Sequence, residues 1–366
     1  MRIPEHEYDG HEPEHPVTVA DRRDDLSIHR PRLPRWTPAA VAGAAIGVAV
    51  VLGLALGLHS KVQWGLIAAV LFVLGQYALT ARVEGRRRAT DRLATSLVLV
   101  AFLIAVVPLA SLVWSTIVRG VRVLDAYFLT HSMKGVAAIS PGGGIYHALV
   151  GTLEQVALAT LMAAPLGLLT GVYLVEYGRG RLAKVITFFV DVMTGIPSIV
   201  AGLFILSLWI LALGFGYSGF AGSLALAILM IPTVVRSTEE MLKLVPNELR
   251  EASYALGVPK WKTILKVVLP TCFGGVVTGV MLSIARITGE TAPLLLLVFG
   301  NPAINANPFE GAQASLPLFI YEQWAAGNEA SYDRAWAAAL VLIAFVMILN
   351  LLARGIALWK APKTGR

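Results

Sequence analysis

The sequence predicts an all-α integral membrane protein with about eight membrane-crossing helices, and three observations predict it. Of the 366 residues, 56% are hydrophobic and 14% charged, and the mean hydropathy is +0.70. Such a balance belongs to bilayer proteins rather than soluble domains. Eight apolar runs lie near 39–58, 62–81, 94–118, 148–175, 184–213, 221–235, 263–299 and 335–358. A helix needs roughly 20 apolar residues to cross hydrocarbon, so each run is read as one crossing, the sixth short and the seventh overlong. Reading the runs as alternating crossings puts 24 of the 30 Lys and Arg residues on one side and 5 on the other. The remaining one, Arg286, lies inside an apolar run. The positive-inside rule then predicts cytoplasmic termini and a cytoplasmic 236–266 loop.

Taken in order, residues 1–36 hold eight acids, six bases and four of the seven histidines, and read as a disordered cytoplasmic tail. His6, His11 and His15 belong to that solvated tail, and no metal site is expected. Residues 37–82 form a two-span hairpin, and 83–92 a basic linker whose Arg86-Arg87-Arg88 suits an anchor at anionic lipid. Six spans follow over 93–358, and 359–366 is a second short cytoplasmic tail. The first apolar run starts near Ala39 without a small-residue cleavage site, so no cleavable signal peptide is expected. Cys272 is the sole cysteine, which rules out an intrachain disulfide. The net charge of +7 calls for no nucleic-acid partner, because the cationic surplus lies beside the inner leaflet.

The loop 236–266 is the charged interruption in this apolar chain. Pro246 suits the first turn of a helix and Gly257 the left-handed position that ends one, after which Val258-Pro259 restarts the chain. Leu249, Ala252/Ser253 and Leu256 fall on one stripe, with Glu248, Arg250 and Glu251 largely off it. A short helix of this kind, joined to a membrane helix, is suited to docking a soluble partner. The run Glu251-Ala252-Ser253, then Gly257, then Val267-Val268-Leu269-Pro270 resembles the EAA loop of ABC-importer permeases. Ser253 stands for the second Ala of that pattern, and Val267 for its Ile.

Further runs resemble the PstA-type permease of phosphate importers. They are Gly151-Thr152-Leu153, Ile196-Pro197-Ser198 through Phe204, Ile231-Pro232-Thr233-Val234-Val235-Arg236, and Gly289-Glu290-Thr291-Ala292-Pro293-Leu294-Leu295. A last one is Ser315-Leu316-Pro317-Leu318-Phe319-Ile320-Tyr321. The resemblance covers roughly 93–358 and implies a six-span type I ABC-importer permease core, with the N-terminal hairpin outside it. It assigns Arg286, Glu290 and Thr291 to the substrate pathway. Arg250, Glu251, Ala252, Ser253, Leu256 and Gly257 it assigns to ATPase coupling. The implied partners are a second (PstC-type) permease, a PstB-type ATPase dimer and an external PstS-type phosphate-binding protein, besides membrane lipid.

The residue types at the pathway positions fit an anion. A guanidinium is always charged, and its planar fork matches tetrahedral oxyanions. Ionisable groups within spans normally face a bundle interior or a wet path. Arg286 and Glu290 stand four apart, which predicts an ion pair on one helix face that arriving phosphate displaces. A protonated phosphate can also donate to Glu290, which sulfate cannot. Gly289 and Pro293 predict a local break there. Glu154 and Asp191 are either path residues or partners of neighbouring polar groups. The outer loops 119–147 and 300–334 either meet a soluble binding protein or pack over the outer mouth, with 316–321 a helix along the membrane surface.

No Gly-x-x-x-x-Gly-Lys-Ser/Thr run occurs, so no Walker A cradle exists in this chain. It is expected to be no enzyme on its own and to bind no cofactor, with ATP and Mg used by the partner ATPase. Two alternatives stay open: a permease for sulfate, molybdate or phosphonate, and an ion-gradient-driven secondary transporter. The second needs several intramembrane acids or repeat pairs, and neither is evident.

Overall fold

A computed structural model describes residues 33–360, with side chains through 355. Most of the expected tail 1–36, its histidines included, and residues 361–366 lie outside the described residues. The chain divides into two compact units with the boundary between Ser111 and Leu112, inside the third helix.

In the first unit, α1 (Thr37–Ala55) and α2 (Lys61–Val83) form a hairpin, followed by the start of α3 (Arg86–Gly120). Gly53 lets the ring of Trp64 lie against α1; a Cβ there would collide with the indole. The Trp64 indole N–H donates to the Leu58 carbonyl at 3.0 Å and closes the turn. Glu84 is buried, pairs with Arg92 at 3.0 Å, and accepts the Leu33 N–H at 2.7 Å. The basic linker is thus partly neutralised from within.

The second unit contains the end of α3, the short α4 (Ala126–Thr130) and α5 (Tyr146–Val172), which runs on through a π-helical turn at Tyr173–Tyr177. Next come α6 (Arg181–Gly195), α7 (Ser198–Ile205, extended by a π-helical stretch Leu206–Ala212) and α8 (Gly219–Lys243). The loop holds α9 (Asn247–Ala255) and α10 (Lys260–Thr263), which passes through a π turn Ile264–Val268 into α11 (Leu269–Thr288). Then follow α12 (Ala292–Leu297), α13 (Leu316–Ala325) and α14 (Glu329–Lys360).

Among the described residues, seven helices are long and apolar enough to cross a membrane, and up to eight crossings result if the bent pair α6–α7 is one span. α8 is the central mast. Of its most apolar window 67% is buried, against 6–22% for the other six, whose exposed Leu, Val, Ile and Phe suit lipid. α5 packs closest to it because small residues let the backbones approach: a Cβ at Gly167 would lie 2.7 Å from Val234, and one at Gly171 2.7 Å from Thr238. Ala159, Ala163, Ala225, Met230, Ile287 and Leu294 fill the core around this seam.

Three expected spans differ. The run 184–213 is no straight crossing: α6 stops at Gly195, Pro197 caps α7, and the two helices meet at 107°. The cause is local, since a residue preceding proline is driven from the helical region, and Ile196 is extended with ψ 128°. The short run 221–235 becomes a 25-residue helix through Lys243, so Arg236 is helical rather than looped. The overlong run 263–299 breaks at Gly289, as Gly289 and Pro293 predict.

Candidate functional site

At one end of the bundle, α9 follows α8 and leaves one face open. Pro246 is its N-cap, one residue before the expected first turn. Gly257 ends it with φ +75°, as expected of a left-handed closing residue, and donates to the Tyr254 carbonyl at 2.9 Å while Val258 donates to Ser253 at 3.2 Å. Leu249 is 41% exposed and Leu256 83%, and Glu248, Glu251 and Ala252 are open beside them. An 83%-exposed leucine on a rigid elbow is poorly placed in water.

The resemblance groups Arg250 and Ser253 with the coupling residues, and the structure turns both inward. They share a stripe three residues apart, adjacent to that of Leu249, Ala252 and Leu256. The buried Ser253 hydroxyl hydrogen-bonds the Thr263 hydroxyl at 2.8 Å, bracing α9 against α10. The Arg250 guanidinium donates to the Glu176 carboxylate from Nε at 3.0 Å and from Nη2 at 2.9 Å. It also donates to the carbonyls of Val245 at 2.7 Å and Leu242 at 2.9 Å.

Glu176, in the π turn that closes α5, is buried, and its backbone carbonyl accepts the Lys260 ammonium. Lys260 also lies 4.7 Å from the Tyr177 ring centre. Beneath this knot Leu242, Val245 and Val268 pack with Val172, Val175, Leu269 and Cys272. Sequence reasoning missed Glu176. The available signal was an acid ending an apolar span on the side that carries the basic loop.

The expected Arg286–Glu290 pair is absent from the ion pairs among the described residues. The four-residue spacing fails because the helix ends between the two. Thr288 is the last helical residue, Gly289 donates back to Arg286 at 3.2 Å, and Glu290 to Ile287 at 3.2 Å. Glu290 therefore leaves the helix face while Arg286 stays in the last turn, where its charge also complements the helix dipole. Arg286 is exposed, and Glu290 and Thr291 are half-buried. Pro293 opens α12 against Gly202 of α7; a Cβ at Gly202 would lie 2.8 Å from its Cα.

The two weighed acids both have polar partners. Glu154 accepts from the Gln313 amide at 2.5 Å. Asp191, 59% exposed on α6, pairs with Arg236 of α8, which also holds Glu239 at 2.6 Å. The sequence puts Arg236 at the start of the loop, whereas the structure places it on α8 in reach of α6.

At the opposite end the long loops are fastened by buried polar groups. Arg334 is 2% exposed and donates to the carbonyls of Ser140 at 2.7 Å, Gly142 at 3.1 Å and Ala138 at 2.5 Å, and to the Gln323 amide oxygen at 2.7 Å. Gln155 donates to Gln313 at 2.8 Å, and the Thr152 hydroxyl accepts the Leu316 N–H at 2.7 Å. The segment expected along the membrane surface is α13, whose first turn from Leu316 to Phe319 is buried. Both loops therefore pack over this end, while Tyr321, Trp324 and Ile139 remain exposed.

Residues 163–366 match the family of binding-protein-dependent transport system inner membrane components. The chain belongs to that family. A "phosphate transport system permease protein PstA 1" of Mycobacterium tuberculosis is 54% identical over 73% of this chain and 88% of its own length. The PstA of Pasteurella multocida is 39% identical over 73% of the chain and 94% of its length. A bacterial alginate ABC transporter, solved with a pentasaccharide-bound periplasmic protein, aligns at TM-score 0.56 and 14% identity, over 76% of this chain and 97% of that one. It shares the fold alone. These similarities, with the helices described above, make the chain a multi-pass inner-membrane permease subunit of the PstA type.

Proposed function

We propose that this chain forms half of the translocation pathway of an ATP-driven importer of inorganic phosphate. The observation that carries the substrate is the 54% identity to a named phosphate permease over 88% of that protein. Both termini and α9 lie in the cytoplasm, which the distribution of Lys and Arg supports. Leu249, Ala252 and Leu256, flanked by Glu248 and Glu251, seat α9 in a groove of a separate ATPase dimer that uses ATP and Mg. A second, related permease supplies the other half of the pathway, and an external phosphate-binding protein delivers the substrate.

Arg286 is the cation that phosphate meets. It is exposed in this chain and held by no carboxylate among the described residues, so a passing oxyanion need not break an ion pair to reach it. Glu290 and Thr291 stand beside it at the helix break, where Glu290 accepts from a protonated phosphate. Closure of the ATPase dimer moves α9, and the core helices rock between inward and outward openings.

The test is uptake by the purified assembly in vesicles. Phosphate is expected to drive ATP hydrolysis and to be displaced by arsenate, with sulfate and molybdate ineffective. Equal competition by sulfate would overturn the substrate, and uptake by this chain without any ATPase would overturn the class. A second check is Gly257→Asp. Asp enters the left-handed conformation more readily than most L residues, at a cost of about 1 kcal/mol, so this variant adds a charge at the docking face together with modest local strain. Hydrolysis is expected to lose its dependence on phosphate while the membrane helices stay assembled.

A further inference from the structure

Along the chain, α9 is joined to α8 through Leu244–Pro246 and, through the elbow at Gly257–Pro259, to α10 and α11; neither connection reaches α5. Arg250 gives α9 a third attachment, one that the chain does not supply. All three guanidinium nitrogens are used: Nε and Nη2 on the Glu176 carboxylate, Nη2 on the Leu242 carbonyl, and Nη1 on the Val245 carbonyl and the Asn247 side-chain oxygen at 3.3 Å. Glu176 terminates α5, and Leu242 and Val245 lie at the end of α8. The Glu176 side chain is 4% exposed and that of Arg250 12%. Lys260, on the far side of the elbow, grips the Glu176 carbonyl as well.

We infer that Glu176, outside the docking loop, is a positioning residue for energy coupling: with Arg250 it forms a strap that delivers displacement of α9 into the α5–α8 pair. The inference rests on the reading of α9 as the ATPase-docking helix. Three physical points carry it. A buried pair broken on one side leaves an uncompensated charge, so the strap resists opening. The fork geometry fixes direction as well as distance, which a flexible lysine does not. The receiving helices are interlocked at Gly167–Val234 and Gly171–Thr238, so a push at the end of one moves both. Displacement along the chain reaches α8 and α11, and displacement through the strap reaches α5. The two routes together tilt the core around Arg286 rather than bending the loop.

The experiment uses the assembled importer in vesicles, with Leu256→Cys as a cross-linking reporter of ATPase docking. Glu176→Gln and Glu176→Asp are made in that background, and phosphate transported per ATP hydrolysed is measured beside cross-linking yield. Glu176→Gln is expected to cross-link and hydrolyse ATP while transport per ATP falls about tenfold, the scale of a lost charge-assisted bond. Glu176→Asp, which keeps the charge one methylene short, is expected to recover part of the ratio. A wild-type ratio in a cross-linked Glu176→Gln complex overturns the strap. Loss of assembly in both variants assigns Glu176 to folding alone and overturns it equally. Failure of Leu256→Cys to reach an ATPase when Glu176 is intact is a different result: it overturns the docking reading itself.

Discussion

Arg286 and Arg334 occupy opposite extremes of one chemistry. Arg334 is buried and spends its donors on three loop carbonyls and one amide oxygen. Arg286 ends α11 on an exposed face, in no ion pair among the described residues. A saturated guanidinium is a staple, because moving it strands several buried acceptors at once. An unsaturated one, its charge permanent, is available to an anion that comes and goes. The difference separates the region that holds the loops from the wall proposed to meet the substrate, although both residues are cations beside apolar helices.

Removing each cation is the strongest way to break this comparison. Arg334→Ala is expected to cost roughly 3 kcal/mol, since loop carbonyls lose a charged donor in a buried place. Thermal unfolding of the detergent-solubilised protein reads the loss, and an unchanged midpoint would remove the staple. Arg286→Ala is expected to leave that midpoint alone and to reduce phosphate uptake about 10- to 100-fold, the range of one or two charge-assisted bonds. Wild-type uptake by a correctly inserted Arg286→Ala protein would exclude it from the path.

Lysine replacements sharpen the contrast. Arg334→Lys is expected to lose about 1–2 kcal/mol, because an ammonium cannot reach four acceptors in a plane, whereas Arg286→Lys retains uptake within about tenfold. Reversal of that order, measured by the same two assays, would mean the sites had been assigned the wrong way round. The smallest effect is Thr152→Val. It keeps the shape but strands the Leu316 N–H, so about 1 kcal/mol of stability is expected to go with uptake unaffected.

Single residues and contiguous runs were legible where chemistry is local. The apolar runs located the crossings, Gly257 announced its positive φ, and Gly289 with Pro293 announced the break after Thr288. The same break then defeated the pairing expected across it, because the periodicity that puts Arg286 and Glu290 on one face assumes the helix continues. The inward turn of Arg250 and Ser253 was equally hidden. Their partners, Glu176 and Thr263, are 74 and 10 residues away, and spacing within the loop says nothing about an acid on another helix. Asp191 and Arg236 met for the same reason, across 45 residues.

The amino-acid sequence by itself determined the membrane class, the places of the apolar runs and the left-handed closing residue of α9. These follow from transfer free energy and backbone sterics, which act residue by residue. Tertiary structure alone decided which cations are saturated and which stay open, and that α9 is tied to α5 as well as to its chain neighbours α8 and α11. Such outcomes depend on donors and acceptors brought within 3 Å by helices distant in the chain, and their distances are fixed only when the whole bundle packs.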